Sequence, residues 1–261
     1  MRKALTALFV VALVSAPLRA ELKYTMRMEM KKSDNAAATP ANPMLTMMGE
    51  QMMKQMLPNG ASEMIYIIGE KGTRLEFTQA AMGQPAGSIN IAKPDGTLYV
   101  MDPQNKTYWK TTTDAASAQM KAAGIAPEVT AKKTGQTESV AGIKCDVVAF
   151  DWKMALPIPE QARASLPPDF PSALTMTGDS CTTSEYSKYA AIVARGAGGM
   201  LASMGLDKVA QGGLIVRQSM QIMGYEMKSV VTKIVEESVD QTLFDVPADY
   251  KEVPAPTGMP K

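Results

Sequence analysis

Leu22, Tyr24, Met26, Met28 and Met30 alternate with Lys23, Thr25, Arg27, Glu29 and Lys31. A period of two, apolar on one side and mostly charged on the other, describes a strand with one face on a core and one in water. A helix would scatter the same residues around its circumference. The chain must therefore supply the rest of a sheet, and most of its later segments read as strands.

Glu63–Gly69, Arg74–Thr78, Ser88–Ala92, Thr97–Met101 and Lys106–Lys110 are short β-rich runs. They are separated by turn chemistry such as Pro94-Asp95-Gly96 and Asp102-Pro103-Gln104-Asn105. Pro presets φ and Gly tolerates positive φ, so this spacing predicts an antiparallel meander. Glu128–Glu138 and Ile143–Trp152 form a further pair around Ala141-Gly142, and Leu174–Thr183 is extended. The last third holds two long β-rich segments, Leu214–Met223 and Met227–Asp240, meeting at Gly224. Met227, Val230, Val231, Ile234 and Val235 also fit a helical period, but their β-branching favours strand. This hairpin is expected to close the sheet, with Phe244 of the following Leu-Phe-Asp-Val-Pro-Ala-Asp-Tyr phrase as an apolar plug.

Three helices are expected. In Met44–Leu57, residues Met44, Leu45, Met48, Met52 and Met56 share one arc. With the Ala/Asn/Pro-rich linker before it, this helix forms an insertion over residues 33–60. A second helix is expected from Asp114, as its cap, to Gly124. A third runs from Glu185 to Met204, weakened by Gly196, Gly198 and Gly199. The fold class is α+β, with a curved antiparallel half-open barrel and helices over its concave face.

Arg2 and Lys3 precede a largely apolar run, Ala4–Ala16, and small residues end at Ala20. This is the pattern of a secretory signal cleaved after Ala20, too short for a membrane span. The expected layout is a signal peptide over 1–20, one domain over 21–253 and a tail over 254–261, in a periplasmic protein without a transmembrane span. Two cysteines, Cys145 and Cys181, are expected to bridge in an oxidising compartment, the alternative being buried or reactive thiols.

Chemistry is constrained by what is missing. The sequence has no histidine. That removes Ser–His–Asp and Cys–His catalysis and His-ligated zinc. Gly178-Asp179-Ser180-Cys181 has the look of a serine-protease nucleophile loop, but no base residue accompanies it. Lys and Arg number 27 against 26 Asp and Glu, so nothing points to nucleic acid. A non-enzymatic protein without a cofactor is expected.

The 22 methionines are the conspicuous excess. One reading is an adaptable apolar lining; the other is a thioether site for Cu(I). The candidate cavity residues are Met26, Met28, Met30, Met44, Met48, Met52, Met56 and Phe244.

Three phrases carry a resemblance: Thr97–Lys110 (TLYVMDPQNKTYWK), Thr134–Cys145 (TGQTESVAGIKC) and Leu243–Tyr250 (LFDVPADY). Together they resemble an exported family numbered 4412 among domains of unknown function. That resemblance implies a fold like the lipoprotein-localisation (LolA/LolB-like) carriers, a curved half-barrel whose cavity takes acyl chains. It implies an apolar ligand such as a lipid, a lipoprotein acyl chain or a hydrophobic peptide. The alternatives are Cu(I) handling by Met thioethers and a structural envelope protein with a filled core. The family carries over no catalytic residues.

Overall fold

The computed structural model describes residues 21–34, 43–122, 127–156, 166–167, 170–203 and 205–255. The expected signal peptide, the middle of the first linker, most of the proline-rich stretch after Leu156 and the end of the tail lie outside these residues. Twelve strands make one curved open sheet: β1 (Glu21–Lys32), β2 (Ala61–Gly69), β3 (Gly72–Phe77), β4 (Ile89–Ala92), β5 (Thr97–Asp102), β6 (Thr107–Thr112), β7 (Glu128–Val140), β8 (Ile143–Ala155), β9 (Ala173–Thr183), β10 (Leu214–Ile222), β11 (Tyr225–Glu237) and β12 (Lys251–Glu252). Their order is β12-β6-β5-β4-β3-β2-β1-β11-β10-β9-β8-β7. Every pairing is antiparallel except that of β12 with β6.

The alternating segment that opens the chain becomes the centre of this sheet. β1 pairs along its whole length with β11 and, on its other side, with β2. The β10–β11 hairpin therefore does not close the sheet, as its position in sequence suggests. It links the β1–β6 half to the β7–β9 half. β1 and β11 match because each presents a long alternation with one apolar face, and a slip of one residue would turn that face to water. Met223 and Gly224 turn the hairpin with φ of 48° and 82°, and Ala141 and Gly142 turn β7 into β8 with 50° and 83°. Paired positive φ marks the type I′ turns that suit twisted two-residue hairpins.

Among the described residues four helices lie against the sheet: α1 (Pro43–Met56), α2 (Thr113–Ala122), α3 (Ser187–Ser203) and α4 (Leu206–Ala210). Thr112, not Asp114, caps α2, its hydroxyl accepting the Ala115 N–H at 3.1 Å. α3 puts Tyr189 and Ile192 into a cluster with Leu22, Tyr24, Ile68, Val216 and Val231. Gly196, a weak helix former, lets α3 approach the backbone. A Cβ there would lie 3.0 Å from the Lys93 carbonyl oxygen. Val209 of the one-turn α4 packs on Val129, Phe150 and Met220.

The coda after β11 follows a different course. Gln241–Phe244 is a 3-10 turn capped by Asp240, which accepts the Thr242 N–H at 2.9 Å. Arg74 Nη1 donates to the Leu243 carbonyl at 2.8 Å. Arg74 alternates with Leu75, which joins the helix-covered core, so the turn lies on the opposite, convex face. Phe244 is fully buried there, its ring 3.2 Å from where a Cβ on Gly69 would be.

Cys145 and Cys181 form a disulfide with Cα atoms 5.3 Å apart, tying β8 to β9. Gly178–Cys181 is interior strand, not the loop its composition suggested.

Candidate binding site on the concave face

Directly paired residues of neighbouring strands point to the same side of a sheet. That rule orders the floor beneath the helices into rows. One row reads Met30, Met227, Met220, Gly178 and Phe150, crossing β1, β11, β10, β9 and β8. A second reads Met64, Met26 and Val231 across β2, β1 and β11. Met28, between them on β1, faces the same way.

α1 roofs the methionine-rich end. Met52, Met53 and Met56 pack onto Met28, Met30, Met64, Leu57, Phe77 and Tyr225, with Met227 alongside. Seven thioethers from α1, β1, β2 and β11 thus belong to one cluster. Gly49 lets α1 sit close against the β10–β11 hairpin. A Cβ there would fall 2.8 Å from the Met223 carbonyl oxygen and 2.9 Å from the Tyr225 ring.

The two ends of α1 are held differently. At its C-terminal end, the Met82 N–H donates to the Met56 carbonyl at 2.7 Å, and the Met30 N–H to the Gly60 carbonyl at 3.0 Å. At its N-terminal end, Met44 and Met47 are 38% and 69% exposed.

The floor is electrically quiet. Tyr24 and Tyr66 stack with centroids 4.7 Å apart. Desolvation, with the neighbouring Tyr66 as a second cause, holds the Tyr24 hydroxyl well above its ordinary range. Desolvation pushes Tyr66 up to about 12. Both are neutral at any physiological pH. The charged residues of β1 up to Lys31 face the other way, where Arg27 and Glu29 pair at 2.6 Å, while Lys32 at the strand's end stands on the side of α1, near Glu50. A groove of about 700 Å³ lies on the opposite face of β7–β9, lined by Thr130, Lys132, Ala149, Asp151, Thr177 and Asp179, among others.

The structure brings Met28, Met30, Met52 and Met56 together, and places the partly buried Met26 beside the neighbouring cluster. Met48 is partly buried on α1, Met44 is exposed, and Phe244 lies on the convex face. Met53, Met64 and Met227 belong to the floor or its cover and were not singled out from sequence. Met64 stands at an apolar position of an alternating segment, the one signal that could have found it. Among the described residues, no group of three or more His, Cys, Asp or Glu could hold a metal ion. No described helix is long and apolar enough to cross a membrane.

Residues 47–155 match the family described as "Domain of unknown function (DUF4412)". This is the family that the three sequence phrases resemble. The DUF4412 match runs from α1 through β8 and so includes part of the methionine cluster. No curated protein matches the chain. Among solved structures, an uncharacterized conserved protein from Thermus thermophilus is 8% identical, with a TM-score of 0.37 over 90% of this chain and 91% of that one. A structure of PNGF-II is 11% identical, with a TM-score of 0.39 over 90% of this chain and 31% of that one.

Proposed function

We propose that the chain is an exported, non-enzymatic protein that binds an apolar ligand between α1 and the concave floor. The ligand class is a lipid, a lipoprotein acyl chain or a hydrophobic peptide. The observation that carries this reading is the methionine cluster packed between α1 and the sheet. Unbranched thioether side chains repack around different shapes more readily than Leu or Ile. A helix pinned near Leu57–Gly60 can lift its N-terminal half without breaking a strand pairing. In the empty protein the methionines fill the space, and a ligand would displace them.

The disulfide and the basic-then-apolar start support export to an oxidising compartment. The resemblance to the lipoprotein-localisation carriers supports an acyl ligand. Native mass spectrometry of the mature protein recovered from the periplasm tests the reading. A co-purifying apolar mass is expected. A bare protein that also fails to take up an added long-chain acyl probe would overturn it in favour of a filled-core structural role.

One observation favours a second reading. Seven thioethers in one cluster offer soft donors that suit Cu(I). Anaerobic titration with Cu(I) decides it. Retention of stoichiometric copper, abolished by Met28→Leu with Met64→Leu, would favour metal handling over lipid binding.

A further inference from the structure

Between the two methionine rows runs a third that is not apolar. Ser62 on β2 pairs with Met28 on β1, which pairs with Ser229 on β11. Ser229 pairs with Gln218 on β10, and Gln218 with Ser180 on β9. No register shift interrupts these pairs, so all five side chains face the helices. The row lies two residues along the strands from each methionine row, about 7 Å.

Several polar atoms of this floor are buried without a hydrogen-bond partner: Ser62 Oγ, Ser180 Oγ, Thr182 Oγ1 and Gln218 Nε2. Three of them gather on β9 and β10. Ser180 is fully buried and Thr182 is 9% exposed, two residues further along the same face. Gln218 is directly opposite Ser180, yet its amide does not bond to the hydroxyl. Buried polar groups are almost always paired, because an unmet one costs about 1–3 kcal/mol. Three unmet groups on one patch of an otherwise apolar floor are a preformed set of hydrogen-bonding positions.

Their chemistry selects the partner. Two hydroxyls and an amide N–H donate to a carbonyl oxygen, and none carries a charge. The nearby Asp179 and Arg217 alternate with Ser180 and Gln218, so they face the opposite side, where they pair with each other. On the same face Asp146 pairs directly with Thr182, and Lys133 stands beside Val148, the partner of Ser180. These two charges meet each other at 3.5 Å, so a bare carboxylate or phosphate would have to compete with Asp146 for Lys133. A hydrocarbon would leave the donors unmet.

We propose that Ser180, Thr182 and Gln218 form the polar subsite of the concave floor and take the carbonyl of an ester- or amide-linked acyl chain. This rests on the apolar-ligand reading above and narrows it to neutral acyl esters and amides. The alkyl chain lies along Met220, Met227 and Met30, and the carbonyl meets the Ser180–Gln218 pair.

The test uses the mature, disulfide-bonded chain and four probes of matched length: methyl palmitate, N-methylpalmitamide, palmitate anion and an unfunctionalised alkane. Binding is measured by native mass spectrometry and by displacement of an environment-sensitive fluorophore. The ester, the amide or both should bind about tenfold tighter than the alkane and the anion, the worth of one hydrogen bond to an otherwise unmet buried donor. Which of the two binds tighter separates a glycerol-ester source from an amide-linked lipoprotein source. The double substitution Ser180→Ala with Gln218→Leu should bring the ester, amide and alkane within about twofold of one another.

Equal binding of all four probes by the unsubstituted protein would overturn the subsite and leave the apolar-ligand reading standing. Binding of none of them would overturn both. Ser180→Ala also has a readout in the empty protein. Its thermal midpoint should stay level or rise, because an unmet buried hydroxyl is removed. A drop of several degrees would show that the hydroxyl is bonded within the fold and would overturn the assignment.

Discussion

The guanidinium of Arg217 on β10 reaches over the disulfide to Glu138 on the edge strand β7, donating from Nε at 2.8 Å and Nη2 at 3.0 Å. Arg217 is paired directly with Cys181, and Glu138 directly with Cys145. The row Arg217, Cys181, Cys145, Glu138 therefore crosses four strands on the side away from Gln218. A covalent bond joins its middle and an ion pair joins its ends. Cys181 and Cys145 are 0% and 2% exposed beneath that pair.

Removing the bridge with Cys145→Ser and Cys181→Ser should cost about 4 kcal/mol, the chain-entropy value for its loop. The cysteines are 36 residues apart in sequence. Urea denaturation reads this as a lower midpoint with a steeper slope, because the uncrosslinked denatured chain exposes more surface. Arg217→Ala should speed reduction of the bridge by dithiothreitol severalfold, while Arg217→Lys gives partial protection. Equal reduction rates in all three proteins would refute the shielding role.

Gly49→Val should lift α1 while leaving the sheet intact, because the added side chain meets the Met223 carbonyl and the Tyr225 ring. Limited proteolysis is expected to cut within Pro43–Met56 of the variant and to spare the parent. The disulfide content and the far-ultraviolet strand signal should not change.

Met64→Ala should destabilise by about 2–5 kcal/mol, since Met64 is fully buried and leaves a cavity under α1. Met47→Ala, at a position 69% exposed on that helix, should change stability by less than about 0.5 kcal/mol. Denaturant midpoints of the pair separate core methionines from surface ones.

Alkaline pH should unfold the protein through Tyr24 and Tyr66. Their folded pKa values lie above the ordinary 10.0, Tyr66 at about 12. Folding thus favours the protonated phenols. That stability is fully present below about pH 10 and is lost as pH rises through the folded values. Tyr66→Phe removes its share of the loss, so the variant should keep its thermal midpoint better above about pH 10 than the parent. Phenolate absorbance should rise for Tyr66 only with unfolding or near pH 12.

The strands were legible where one face is apolar and the other polar. Leu22–Lys31 and Glu63–Gly69 announce themselves by alternation, and Ala141-Gly142 by its turn chemistry. The cysteine pair was legible because two thiols, if they bridge within the chain, have only each other as partners. Part of the candidate site was legible too: Met28 and Met30 stand at the apolar positions of β1, and Met52 and Met56 on one arc of α1. Ser180 and Gln218 were not. A serine or glutamine in a strand reads as a solvent-facing residue until its burial is known.

Local sequence by itself determined most of the strands and their inward residues, the hairpin turns and the oxidised cysteine pair. The strands and turns depend on neighbours within a few residues, where backbone sterics and side-chain period act directly, and the bridge follows from there being two cysteines. Tertiary structure alone decided that β1 joins β11, that the methionines of α1, β1, β2 and β11 meet, and that Phe244 goes to the convex face. Alternation states which residues share a side of a strand. It does not state which strand lies beside it or which side is roofed. Those choices come from matching whole apolar faces across the molecule, and they place an unmet Ser180–Gln218 pair between two rows of thioethers.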